Sequence, residues 1–138
     1  PCMGAHVGAD AAAAMLAELA IRVPRAEAIH ADMRGLALRR RFDVILAFNS
    51  MFHLSPGDQR AMFPVFATHA APSARLLFTT GPAAGEAVGR VGDSPVYHSS
   101  LDPDDYRKLL AENGFSVLWF RPEDAGLRGH SVWLAEAR

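Results

Sequence analysis

The chain is poor in the features by which many functional classes announce themselves. It holds one cysteine, Cys2, which excludes an internal disulfide framework and any multi-cysteine zinc site. That usage fits a reducing compartment. Base is not in excess: 14 Lys+Arg stand against 15 Asp+Glu, a formal charge of −1, where a general nucleic-acid binder needs a basic surplus. Apolar runs fall far short of the ~20 residues that span a bilayer, and no charged-then-apolar signal segment opens the chain. There is no internal repeat. No G-x-x-x-x-G-K-[ST] is present, which excludes a P-loop NTPase. No G-x-S-x-G surrounds any serine, which argues against an α/β-hydrolase. His6, His30, His69 and His130 fall in separate elements without metal-ligand spacing, so no metal site is expected.

What is present is enough apolar material for a core. Half of the 138 residues are hydrophobic, and a chain of this size buries roughly two thirds of its unfolded surface. Residues 1–138 therefore read as a single domain, soluble and cytoplasmic, acting on a small molecule with no nucleic-acid or membrane partner.

Strand and helix signals alternate along the chain. A short strand over about 5–9 precedes a helix over about 11–22, where Ala11–Ala14 runs into Met15, Leu16 and Leu19 and Pro24 stops it. A strand over about 26–31 is followed by a loop with Gly35 and Arg39-Arg40-Arg41, then by the strongest strand, 42–48. Its Val44-Ile45-Leu46 run suggests burial on both faces. Ser55-Pro56-Gly57-Asp58 starts a helix that Pro64 must kink or divide, and Pro72 closes that region. A buried strand covers 75–80. Residues 83–99 read as a long glycine-bearing loop, with an edge strand at 96–98, that is either a substrate lid or an ordered edge hairpin covering the sheet. Asp102 starts a last helix, Gly114 ends it, and strands over 115–120 and 130–135 close the chain as an antiparallel hairpin. The alternation predicts an α/β fold: a Rossmann-like, mainly parallel sheet with helices on both faces.

Polar residues at strand ends are the candidate site, because ligands of open α/β sheets collect at the carboxyl ends of the strands. Asp10 ends the first strand, where an acceptor-only carboxylate can take both hydroxyls of a ribose; it can equally cap the next helix. Asp32, 22 residues on, ends the second strand and reads either as a turn acid or as an acceptor for an adenine amine. Asn49 and Ser50 follow the strongest strand, and His53 is a candidate general base or a side chain packed by the Ser55 cap. Tyr97-His98 closes the long loop with two groups able to make directed hydrogen bonds. Arg39-Arg40-Arg41 reads as a solvated run or as a phosphate contact.

In order along the chain, Gly8-Ala9-Asp10 with Met15-Leu16, Ala31-Asp32-Met33-Arg34, Phe42 to Phe48 with Phe52-His53-Leu54, Pro72 to Thr80, and Gly114-Phe115 resemble the class I S-adenosylmethionine-dependent methyltransferases. Ala12 stands where that family's second-strand motif has serine. The resemblance spans about residues 5–137. It implies methyl transfer from S-adenosylmethionine to a small molecule, with Asp10, Met15, Asp32, Met33, Asn49 and Ser50 holding the cofactor. Asp10 would take the ribose, Asp32 and Met33 the adenine, and Asn49 and Ser50 the sulfonium end. His53, Tyr97 and His98 would face the substrate. The family's first strand and glycine-rich loop have no counterpart in the nine residues before Asp10. The chain is accordingly expected to be the C-terminal part of such a domain, its open strand edges available to a second copy and its cofactor affinity weak when alone. The alternatives are a degenerate, non-catalytic domain and a nicotinamide-dependent oxidoreductase.

Overall fold

A computed structural model describes residues 4–138; Cys2 lies outside the described residues. The chain divides into two compact units, Pro1–Ala37 and Leu38–Arg138.

The first unit is one β-α-β element. Strand β1 (Val7–Asp10), helix α1 (Ala13–Arg22) and strand β2 (Glu27–His30) follow one another, and β1 pairs with β2 in parallel, Asp10 opposite His30. Helix α1 packs close to β1: a Cβ at Gly8 would meet the end of the Leu19 side chain. Leu16, Leu19 and Ile29 are half-buried, and no described residue of this unit is fully buried.

The second unit carries the core. Strands β3 (Phe42–Ala47), β4 (Ala70–Thr80), β7 (Phe115–Asp124) and β8 (His130–Ala137) form a sheet of order β3-β4-β8-β7. Strand β3 runs parallel to β4, as a crossover through helix α2 (Pro56–His69) requires. Strand β8 is antiparallel to both neighbours, the hairpin expected from the absence of a helix between β7 and β8. The side chains of Leu76, Phe78, Trp133 and Ala135 share one face of this sheet and are buried. Phe63 of α2 and Tyr106 of helix α3 (Pro103–Glu112) both pack edge-on against Phe78 on that face. Both helices of this unit thus lie on one face, where helices on both were expected.

Four expectations are corrected here. The described strands make three separate sheets, not one continuous sheet. Val44 and Leu46 of β3 are each 66% exposed, so burial of that strand on both faces is not found in this structure. Pro72 does not end an element: β4 already begins at Ala70, and the register jumps from Phe42–Ala70 to Val44–Arg75. Pro72 and Ser73, the latter at φ +62°, are accommodated in that irregularity. Of the two readings of residues 83–99, the hairpin is found and the loop is not. These residues form a two-stranded antiparallel ribbon, β5 (Gly85–Val91) and β6 (Ser94–Ser100), turned at Gly92-Asp93. Gly92 takes φ +59°, as a two-residue hairpin turn demands. The glycines at 85 and 89 hid the alternating pattern. Pro64 sits inside α2 without dividing it. Among the described residues no helix is long and apolar enough to cross a membrane.

Candidate functional site

The site in the second unit is assembled where β3 and β4 end. Beyond β3 the backbone turns sharply: Asn49 adopts φ +50°, a left-handed conformation that asparagine tolerates better than most residues. Its N–H donates to Thr79 Oγ1 at 2.8 Å, tying the turn to the end of β4. Ser50 precedes a single 3₁₀ turn, Met51–His53. Met51 and Phe52 are buried there while His53 stays exposed.

His53 is oriented by the ribbon. Its Nδ1 lies 3.0 Å from the carbonyl oxygen of Tyr97. A carbonyl can only accept, so Nδ1 is the donor in this contact. The His53 and His98 rings are 4.9 Å apart between centroids. Phe52 lies against both His98, at 5.2 Å, and His130, at 5.1 Å. The three residues expected to face a substrate, His53, Tyr97 and His98, are therefore neighbours. Tyr97 contributes its backbone to His53, while its hydroxyl donates to Glu86 across the ribbon. That bond raises the phenol's pKa above its ordinary value, since loss of the proton would place two negative charges together.

A cavity of about 260 Å³ opens beside this cluster. Phe52, His98 and His130 line it together with Pro82, Ala83 and Ala87. Beneath it runs a buried polar network that sequence reasoning did not find. Gln59, fully buried on α2, donates from Nε2 to Ser99 Oγ at 2.7 Å and to the Leu54 carbonyl at 3.1 Å. Its Oε1 accepts the Tyr106 hydroxyl at 2.6 Å, and that hydroxyl accepts the Leu101 N–H at 3.0 Å. The network fastens the segment after His53 to the strand that carries His98. Burial pushes the Tyr106 phenol pKa up. His130 was also missed, because its partner Phe52 lies far away in sequence. Two other histidines are structural: buried His69 donates to the Val65 carbonyl and accepts the Leu38 N–H, and His30 donates to the Ala11 carbonyl.

The first unit holds the strand-end acids. Asp10 and Asp32 lie at the same end of the parallel pair, joined by the Ala31 N–H donating to the Asp10 carbonyl. Asp10 Oδ1 accepts the Ala12 N–H at 2.7 Å, a local turn ahead of α1; the helix itself starts from Ala12 without a side-chain cap. Asp32 accepts the Arg34 N–H at 2.9 Å and is gripped by the Arg34 guanidinium. These hydrogen bonds lower its pKa to about 2. Met33 is half-buried in the turn that follows, and Met15 is 58% exposed in the first turn of α1.

No family model matches the chain, and no curated protein matches it. Solved structures do resemble it. The glycopeptide N-methyltransferase MtfA, complexed with S-adenosyl-L-homocysteine, aligns over 96% of this chain and 73% of its own, with a TM-score of 0.75 and 17% identity. The amino pentose methyltransferase CalS10 of Micromonospora echinaspora, with S-adenosylmethionine bound, covers 96% of this chain and 74% of its own at a TM-score of 0.75 and 18% identity. A S-adenosylmethionine-dependent methyltransferase from Clostridium acetobutylicum gives a TM-score of 0.77 at 12% identity, over 97% and 75% of the two chains. At such identities the likeness is one of fold: the chain has the mixed α/β fold of these methyltransferases.

Proposed function

We propose that this chain serves methyl transfer from S-adenosylmethionine to a small molecule. The observation that carries the reading is the cavity at the carboxyl end of β4, with the His53 imidazole held by the Tyr97 carbonyl beside it, on a fold that structurally similar proteins use for this cofactor. The cofactor supplies a sulfonium-bound methyl group open to in-line attack. The chain's own residues fit it in part. Asp10 spends one carboxylate oxygen on the Ala12 N–H and makes no other hydrogen bond among the described residues, so the second oxygen is available to a ribose hydroxyl. Asp32 is ionised and pinned, but Arg34 occupies both of its oxygens, so an adenine amine would have to share them. Asn49 and Ser50 would approach the sulfonium end, with Met15 and Met33 as apolar contacts. Positioning and exclusion of water supply most of the rate in a displacement of this kind, and the paired His53 and His98 rings place an imidazole where it can take the acceptor's proton.

The finer reading is that these residues form the carboxy-terminal part of such a domain. It is supported by the absence of any G-x-G-x-x-G from the 138 residues and by the unshared edges of β1 and β3 in their respective sheets. The same absence favours the second reading, a domain that binds cofactor weakly and does not turn over. Calorimetry of the chain with S-adenosylmethionine and with a nicotinamide dinucleotide separates these. Methyl transfer predicts binding of the former, weakened about tenfold or more in Asp10→Asn through loss of a charged hydrogen bond. Preference for the nicotinamide dinucleotide overturns the proposal, and no binding of either favours the non-catalytic domain.

A further inference from the structure

We propose that the cavity under the β5–β6 ribbon selects a planar, single-ring hydroxyarene — a phenol or catechol — as the methyl acceptor. The reaction assigned to it rests on the methyl-transfer reading; the ring preference can be measured without it.

Size comes first. At about 260 Å³ the cavity lies just below the ~300–1,000 Å³ of sites for drug-sized ligands, so one ring with small substituents fills it. Flatness follows from the walls. Ala87 is paired with His98 in the ribbon and therefore shares its face. The same face carries Gly85 and Gly89, which leave a row without bulk opposite the imidazole. Phe52 is stacked with His130 at 5.1 Å and an interplanar angle of 21°, a flat aromatic wall. Aromatic rings pack on such walls in offset or edge-to-face geometry.

Charge then sets the functional group. Among the described residues lining the cavity none is Lys or Arg, so nothing there pairs a carboxylate or phosphate. The one lining carboxylate, Glu86, alternates with Ala87 along β5, so its side chain lies on the ribbon face opposite Ala87 and His98, where it accepts the Tyr97 hydroxyl. What the wall does offer is imidazole, whose ring nitrogen can accept from a hydroxyl donor of weak acidity. In the reaction the acceptor's O–H bond breaks and its proton passes to the His98 imidazole. The oxygen bonds the methyl carbon, and the carbon–sulfur bond breaks with its electron pair left on sulfur as a thioether.

The full chain, labelled in its histidine rings, is titrated by NMR with 4-methylcatechol, and separately with benzylamine and benzoate as rings of like size. The expected result is that catechol moves the ring signals of His98 and His130, with benzylamine and benzoate at least tenfold weaker. Ala87→Phe, on the cavity face of the ribbon, should abolish the catechol response. Val88→Phe, on its outer face and 71% exposed in the wild type, should leave it intact and shows that the ribbon tolerates bulk. His130→Ala should weaken binding about three- to tenfold. Equal or tighter binding of the amine or the carboxylate, no histidine response to catechol, or a response that survives Ala87→Phe overturns the proposal. The cofactor calorimetry reads independently: catechol binding without S-adenosylmethionine binding leaves this pocket assignment and removes the methyl-transfer reading. Cofactor binding without a catechol response does the reverse.

Discussion

The β-α-β element of residues 4–37 and the unit from Leu38 onward are built by the same local rules, yet they are held by different forces. The first has an aspartate turn at its strand end, an alanine-rich helix and a parallel pairing, and none of its described residues is fully buried. The second packs Phe63, Phe78, Tyr106, Phe120 and Trp133 into one aromatic core, with Phe120 and Trp133 centroids 4.0 Å apart. Secondary structure therefore does not report stability. Helix propensity and pairing place an element, but burial of apolar surface holds it, and elements with little burial open locally at low cost.

The sharpest way to break this contrast is to excavate each unit. Trp133→Ala should destabilise the second unit by about 3–5 kcal/mol in denaturant unfolding, while Leu19→Ala, on the half-buried face of α1, should cost about 1 kcal/mol or less. Equal costs would mean that the first unit is as tightly held as the second. Gln59→Leu tests whether the polar network or the rings dominate beneath the cavity. The substitution leaves the buried Tyr106 hydroxyl and Ser99 short of partners, which should cost about 1–3 kcal/mol. It should also loosen the His53–Tyr97 contact, seen as a change in the His53 ring signals; unchanged signals would separate the network from the site. The smallest effect belongs to Asp32. Its carboxyl titrates near 2 in the folded chain against an ordinary 3.8, so its contribution to stability is present above the ordinary value and is lost as pH falls through about 2. In Asp32→Asn the first unit should lose that part of its pH dependence between about pH 4 and 2, measured by amide NMR. A wild-type acid response in the variant would show that the Arg34 clamp does not stabilise the turn.

Much of the site was visible in the residues. Asp10 and Asp32 were expected at the ends of consecutive parallel strands and stand there. His53, Tyr97 and His98 were expected near one another and are. What escaped were contributions made through space. His130 is 78 positions from Phe52 and carries no motif, so its stacking has no local signal. Gln59 reads as an ordinary polar residue of a helix, and its full burial depends on Ser99 and Tyr106 arriving from other elements. Residues 83–99 read as a loop or as an edge hairpin, because glycines at 85, 89 and 92 mask a strand pattern whose partner is its own return.

The sequence by itself determined the capped helices, the strand ends and the order in which they alternate, because caps, prolines and apolar periodicity act over a few residues. Only the tertiary structure decided which side chains share the cavity and how His53 is oriented. It also decided that the first unit has no fully buried residue while the second has an aromatic core. Those outcomes depend on contacts between residues tens of positions apart, and no short-range pattern encodes them.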